Sequence, residues 1–534
     1  MYRYIGPDTG ALHGRVLRAI RRARAPGRVG LVLAVGLAGA SALAAVGSIS
    51  VTLPVATAAG LLQGIEHQGV TAYLGVPFAA APVGELRWRA PRRPRHWQGV
   101  RAADRFGNSC MQEADALNTL GQKRLSEDCL YLNVWTPTRA PSARMPVMVW
   151  LHGGGFAHSS GAHPSLDGAH LAARGVVVVT VNYRLGRFGF FAHPSLTHED
   201  PAAPLANYGL LDQIAALEWV KENAAAFGGD PTNVTVFGQS AGGVAICYLL
   251  AAPLAKGLFQ RAIIESGVFF AGPPDQPRTL REAETAGTVA AKSWGLAKTD
   301  AAALRKVPAE TVLAGSPGAS WPVIDGKVVA GDLRAAFDAG QIAHVPLLLG
   351  TNSYEVGWPP LSAWTRGLAQ RLSAQWPAVM SLYDGYGTHR TELIEGQLAT
   401  DMSFAAPTRY AARAAARHGL STYLYTFSYL RPSQSGQVPG PVHCDEIYAV
   451  FGNMDQVEPH PDAETERVTD EVQSRWVQFA ETGRPTESAA EWPALTPNSE
   501  VSVEFTTKGP IVRADFARAR LDLAEKLAAV PPPR

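Results

Sequence analysis

The chain has 534 residues, 46% of them apolar and 18% charged, with a formal net charge of +2. Those proportions describe a well-buried globular protein and exclude a disordered one. Residues 1–44 hold seven Arg and one Asp, a balance of +6 that leaves 2 − 6 = −4 for the remainder, so the body is mildly acidic and lacks the basic stripe a nucleic-acid binder needs.

The first 44 residues read as an export signal. Arg15, Arg18, Arg21, Arg22, Arg24 and Arg28 precede an uncharged run from Val29 to Ala45, and Ala42-Leu43-Ala44 offers a small-residue cleavage site. Ala56-Thr57-Ala58 also fits that rule. An uncleaved membrane anchor is the alternative, because the apolar run approaches spanning length. Residues 45–534 then form a single domain. Leu61 to Phe78 read as short edge strands, and the basic stretch Arg87 to Arg95 as a surface loop. Cys129–Trp135, Val147–Leu151 and the almost wholly β-branched Val176–Val181 read as strands, the last buried on both faces. Tyr208 to Ala226 has helical periodicity and stops at Phe227-Gly228-Gly229-Asp230-Pro231. Next come a strand at Val234–Phe237, a sharp turn at Gly238-Gln239-Ser240-Ala241-Gly242 and a helix at Val244–Leu250. Ala262–Ile264, Val345–Leu349 and Ser421–Phe427 are further strands, and Arg467–Glu481 is a late helix. Val268–Pro322 and Trp358–Trp376 read as insertions. Strands alternating with helices predict an α/β fold, a mostly parallel sheet covered on both faces.

Cys110 and Cys129 enclose eighteen residues, a spacing that in an exported protein suggests a loop-closing disulfide. Cys247 and Cys444 have no obvious partner and read as buried thiols. The strand–turn–helix around Ser240 carries the main chemical signal, because such a turn holds a serine hydroxyl exposed at the head of a helix. Ester hydrolysis also needs a base, an orienting acid and donors for the developing oxyanion.

Several long motifs occur in one order: Leu74-Gly-Val-Pro-Phe-Ala with Pro82-Val-Gly-Glu-Leu-Arg87, Ser126-Glu-Asp-Cys-Leu-Tyr-Leu-Asn133, His152 to Phe156, Asn182-Tyr-Arg-Leu-Gly186, Phe227 to Gly243, and Trp476 to Gly483. With them the chain resembles a type-B carboxylesterase of the α/β-hydrolase fold over nearly everything after the leader. Thr57 to Gly64 resembles that family's first strand, which argues against cleavage at Ala58. The resemblance implies Ser240 as nucleophile and the N–H groups of Gly154, Gly155 and Ala241 as oxyanion donors. It implies His443, in Pro441-Val-His-Cys-Asp-Glu-Ile447, as base, and Glu355 as the acid. Tyr354 replaces the usual polar neighbour of that acid, and Asp325 is the fallback. Ser266 and Glu446 are implied as supports of the histidine, and Arg87–Glu127 and Arg184–Asp212 as structural ion pairs. Gln239 stands where many relatives carry an acid, and the Cys110–Cys129 loop holds no Trp, so capture of a quaternary ammonium is not expected. No metal or cofactor is called for. The expected partner is a small-molecule ester, with contact to a membrane only through an uncleaved leader, and the oligomeric state stays open. A catalytically inactive adhesion protein on the same fold is the rival reading.

Overall fold

Aliphatic, β-branched runs build the centre of the molecule. Val177-Val-Val-Thr-Val181 is buried at every position, as a parallel strand covered on both faces must be. The computed structural model describes residues 50–113, 124–138, 143–200, 203, 206–270, 279–296, 299–314, 321–356, 367–384, 387 and 389–528. The expected leader over residues 1–44 and its cleavage site at Ala44 lie outside them. One compact unit spans Ser48–Arg534.

Twelve strands form the central sheet: β1 (Ser50–Val51), β2 (Ile65–His67), β3 (Val70–Pro77), β4 (Tyr131–Pro137), β5 (Met145–Leu151), β6 (Val177–Val181), β7 (Gly229–Gln239), β8 (Arg261–Glu265), β9 (Leu347–Asn352), β10 (Thr422–Phe427), β11 (Val501–Thr506) and β12 (Gly509–Ala514). Their order in space is β1-β2-β3-β4-β6-β5-β7-β8-β9-β10-β11-β12. Every pair from β6 to β11 is parallel, and antiparallel strands close both edges. Alternate residues of β5 serve opposite faces. Val147, Val149 and Leu151 pack with α1 (Tyr208–Asn223) and α2 (Ala241–Ala251). Met148 and Trp150 face Phe451 and Trp476 on the other side.

The register places the site. Leu151 pairs with Gly238, Gln239 with Glu265, Glu265 with Gly350, and Gly350 with Tyr425. Two adjacent rows therefore cross five strands toward their carboxyl ends, the edge where α/β sheets place ligands.

Some elements differ from expectation and others meet it. β7 starts at Gly229 and runs through Pro231, because its pairing with β5 shifts between Met145 and Val147, and such an irregularity accommodates a residue without an N–H. The loop from Arg87 is not all surface: Arg87 and Trp88 are buried, with the Arg87 guanidinium on Glu127. Arg184 and Asp212 pair in the interior, at 2.7 and 2.8 Å. Ala56 and Thr57 belong to a strand paired with Gly60–Gln63, and Ala58 N–H donates to Asn223 Oδ1 at 2.8 Å, so residue 58 lies inside the folded unit. Cys110 and Cys129 are joined. Cys247 is buried, whereas Cys444 is only half-buried.

Candidate active site

Ser240 is the single residue between β7 and α2. Its φ of 55° and ψ of −126° lie in a region that L residues rarely occupy. Its N–H donates to Glu265 O and its carbonyl accepts from Val244 N–H, both at 2.9 Å. The glycine at 242 makes the turn possible, since a Cβ there would lie 1.9 Å from Leu151 O. α2 points its amino end at the serine, which favours negative charge there.

Glu355 follows β9 by three residues, and its side chain is wholly buried. Oε2 lies 2.7 Å from His443 Nδ1. Oε1 accepts from the Ser266 hydroxyl at 2.6 Å and from Asn352 N–H at 2.8 Å. Its backbone N–H donates to Thr400 Oγ1 at 3.0 Å, and His443 N–H donates to Glu355 O at 3.2 Å. An ionised carboxylate only accepts, so the His443 proton sits on Nδ1 and the lone pair on Nε2.

Gln239 connects this pair to the serine. Its Nε2 is 3.4 Å from Nδ1 and 3.3 Å from Nε2 of His443, so the amide lies against the imidazole near both nitrogens. Cys444 Sγ donates to Gln239 Oε1 at 3.4 Å, and Phe404 packs on the ring at 5.0 Å. Among the described residues no hydrogen bond joins the Ser240 hydroxyl to His443. Bonds of this kind commonly close only when substrate is bound.

The chain leaving β5 packs directly on this turn. A Cβ on Gly153 would lie 3.1 Å from Ser240 Cβ. Gly154, at φ 100°, closes a tight turn whose carbonyl accepts from Ala157 and His158 N–H at 3.0 Å each. Among the described residues no loop or turn bond engages the N–H groups of Gly154, Gly155 or Ala241. His152 anchors the loop. It stacks on Tyr183 at 4.3 Å, accepts the Tyr183 hydroxyl at its carbonyl at 2.7 Å, and burial pushes its imidazole down to about 4.

Behind the histidine lie two more buried carboxylates. Glu446 accepts from Asn352 Nδ2 at 2.5 Å, and burial, then Glu355, hold its carboxyl well above the usual range. Glu265 accepts from Trp476 Nε1 at 2.7 Å, and burial pushes it up to about 8. Asp325 is not part of the site: its Oδ1 accepts from the N–H groups of Lys327, Val328 and Val329, a turn-closing role. Glu265, Asn352, Thr400 and Phe404 went unnoticed in the sequence. Glu265 adjoins Ser266 and Asn352 lies three residues before Glu355, so only their neighbours were named, and nothing marks the last two.

The fold is that of an α/β-hydrolase. Residues 50–372 and 383–523 match the model of the Carboxylesterase family. The chain belongs to that family, and its chemistry is carboxylic ester hydrolysis. It is 38% identical over 488 residues to the para-nitrobenzyl esterase of Bacillus subtilis (strain 168), covering 84% of this chain and 96% of that one. It is 34% identical over 466 residues to the fumonisin B1 esterase of Sphingopyxis macrogoltabida, covering 83% and 85%. Among solved structures, a Geobacillus stearothermophilus carboxylesterase superposes with a TM-score of 0.75 at 34% identity, covering 88% of this chain and 99% of that one.

Proposed function

We propose that the protein is a serine carboxylesterase working through an acyl-enzyme, with Ser240, His443 and Glu355 as its triad. The observation that carries this is the 2.7 Å bond from His443 Nδ1 to the buried Glu355 carboxylate, beside a serine held in a strained turn by the residue that touches the imidazole. Ser240 Oγ attacks the ester carbonyl as His443 Nε2 takes its proton. The oxyanion is held by the N–H groups of Gly154, Gly155 and Ala241, each donor being worth about 3 kcal/mol. The intermediate collapses, the alcohol leaves with the proton from His443, and water attacks the acyl-serine by the same route. Glu355 holds the imidazole in its tautomer and stabilises its charged form.

The substrates are uncharged esters of small or medium alcohols, since Gln239 supplies no negative charge beside the serine. The name of the para-nitrobenzyl relative puts such esters in the first panel to try. The protein acts after export. Its arginine-rich start and apolar run, with the Cys110–Cys129 bridge, support this, and amino-terminal sequencing of the exported protein tests it. Recovery of the whole leader in a membrane fraction would make it an anchor instead.

Ser240→Ala should abolish turnover and labelling by an organophosphonate while leaving the circular dichroism unchanged; retained turnover overturns the reading. Absence of labelling in the unaltered protein would favour an inactive binding protein. Glu355→Gln should lower kcat by about a thousandfold or more, and near-normal turnover would remove Glu355 from the mechanism.

A further inference from the structure

A single helical stretch passes behind the His443–Glu355 pair. α3 (Thr391–Thr400) runs into a π-helical turn at Asp401–Ala405 and then into α4 (Ala406–Arg417). Such turns carry one residue more than an α-helix allows and occur often at functional sites. This one meets the pair twice. Thr400, the residue before it, accepts the Glu355 N–H at 3.0 Å. Phe404, within it, lies 5.0 Å from the His443 ring and edge-on to Phe269 at 5.3 Å.

The turn is tied down at its first residue. Asp401 is buried, at 1% exposure. Its Oδ2 accepts from Arg520 Nε at 2.9 Å and its Oδ1 from Gln397 Nε2 at 3.2 Å. The same Gln397 nitrogen donates at 3.1 Å to the carbonyl of Ser353, two residues before Glu355. Arg520 comes from the last helix, Arg518–Ala528. Tyr383 fixes it, with its ring 5.4 Å from the guanidinium and its hydroxyl donating to Arg520 O at 3.3 Å. Among the described residues Arg520 is the one cation paired with Asp401. A buried carboxylate that loses its cation must reach water or take up a proton. Relaxing the turn to α geometry would shift the register by one residue, which rotates Phe404 by about 100°.

We propose that Arg520, acting through Asp401, is a positioning residue of the esterase reaction: it pins the π-helical turn so that Thr400 and Phe404 hold the Glu355–His443 pair in line with Ser240. The proposal rests on the triad reading above.

The test is kinetics with a p-nitrophenyl ester well below the melting temperature, on the whole chain. Arg520→Gln and Asp401→Asn should each lower kcat about tenfold while KM moves less than about twofold. Arg520→Lys should recover most of the loss, and the double variant should be no slower than either single one, since both remove one link. Arg409→Gln is the comparison. Arg409 also holds the last helix, through Asp522 at 2.7 Å, but without Asp401, and it should lower the melting temperature and leave kcat alone. If Arg520→Gln and Asp401→Asn lower only the melting temperature, Arg520 is an anchor and the proposal fails. Should Arg520→Gln not fold, the isosteric Asp401→Asn decides alone. Turnover by Ser240→Ala would sink the triad reading; an inactive Ser240→Ala beside a fully active Arg520→Gln sinks only the clamp.

Discussion

Three carboxylates stand behind one imidazole, and only Glu355 bonds to it. Glu265 Oε2 and Glu446 Oε1 are buried without a hydrogen-bond partner, and neither residue forms an ion pair among the described residues. Burial therefore favours the protonated form of both. Since folding raises the Glu265 value to about 8 from 4.5, the stability it contributes is fully present below the unfolded value and is lost as pH rises through about 8. Thermal midpoints should fall between about pH 5 and pH 9, and Glu265→Gln, which mimics the protonated acid, should flatten that slope. An unchanged slope would show that Glu265 is already ionised in the folded protein. None of this was legible in the residues themselves. Ser240, His443 and Glu355 were named through motifs that resemble those of the family, whereas Glu265 gains its surroundings from Trp476 and Tyr425, far along the chain.

Among the elements, the turn between β7 and α2 is packed backbone against backbone. A methyl group at Gly242 would overlap Leu151 O at the end of β5, and backbone on backbone has nowhere to yield. Gly242→Ala should cost about 3 kcal/mol of stability, read as a shift in the denaturant midpoint, and should displace the serine as well. A variant of normal stability and activity would mean that β5 and α2 move apart freely. This element was readable because three signals agree: an apolar run, a glycine-flanked turn and a helical run. The π-helical turn at Asp401 was not, since one inserted residue leaves the composition of a helix unchanged. Nor were β11, β12 and the last helix, where no motif marks the sequence and burial is set by partners such as Trp476 and Phe505.

For the molecule as a whole, the Cys110–Cys129 bridge closes a loop beside the buried Arg87–Glu127 pair. In the chain-entropy account a loop of that size stabilises by roughly 3 kcal/mol, so replacing both cysteines by Ala should lower the denaturant midpoint accordingly and leave kcat unchanged. A fall in kcat at full stability would place the loop in the reaction. Parallel neighbours in the sheet are joined by long excursions, and the hydroxyl, the carboxylate and the imidazole arrive from β7, from β9 and from beyond β10. They can meet only once all of those strands have been laid side by side. On the proposed triad, turnover is therefore a late reporter of assembly: a chain cut short of His443, or halted partway through refolding, stays silent however much ordered sheet it already contains.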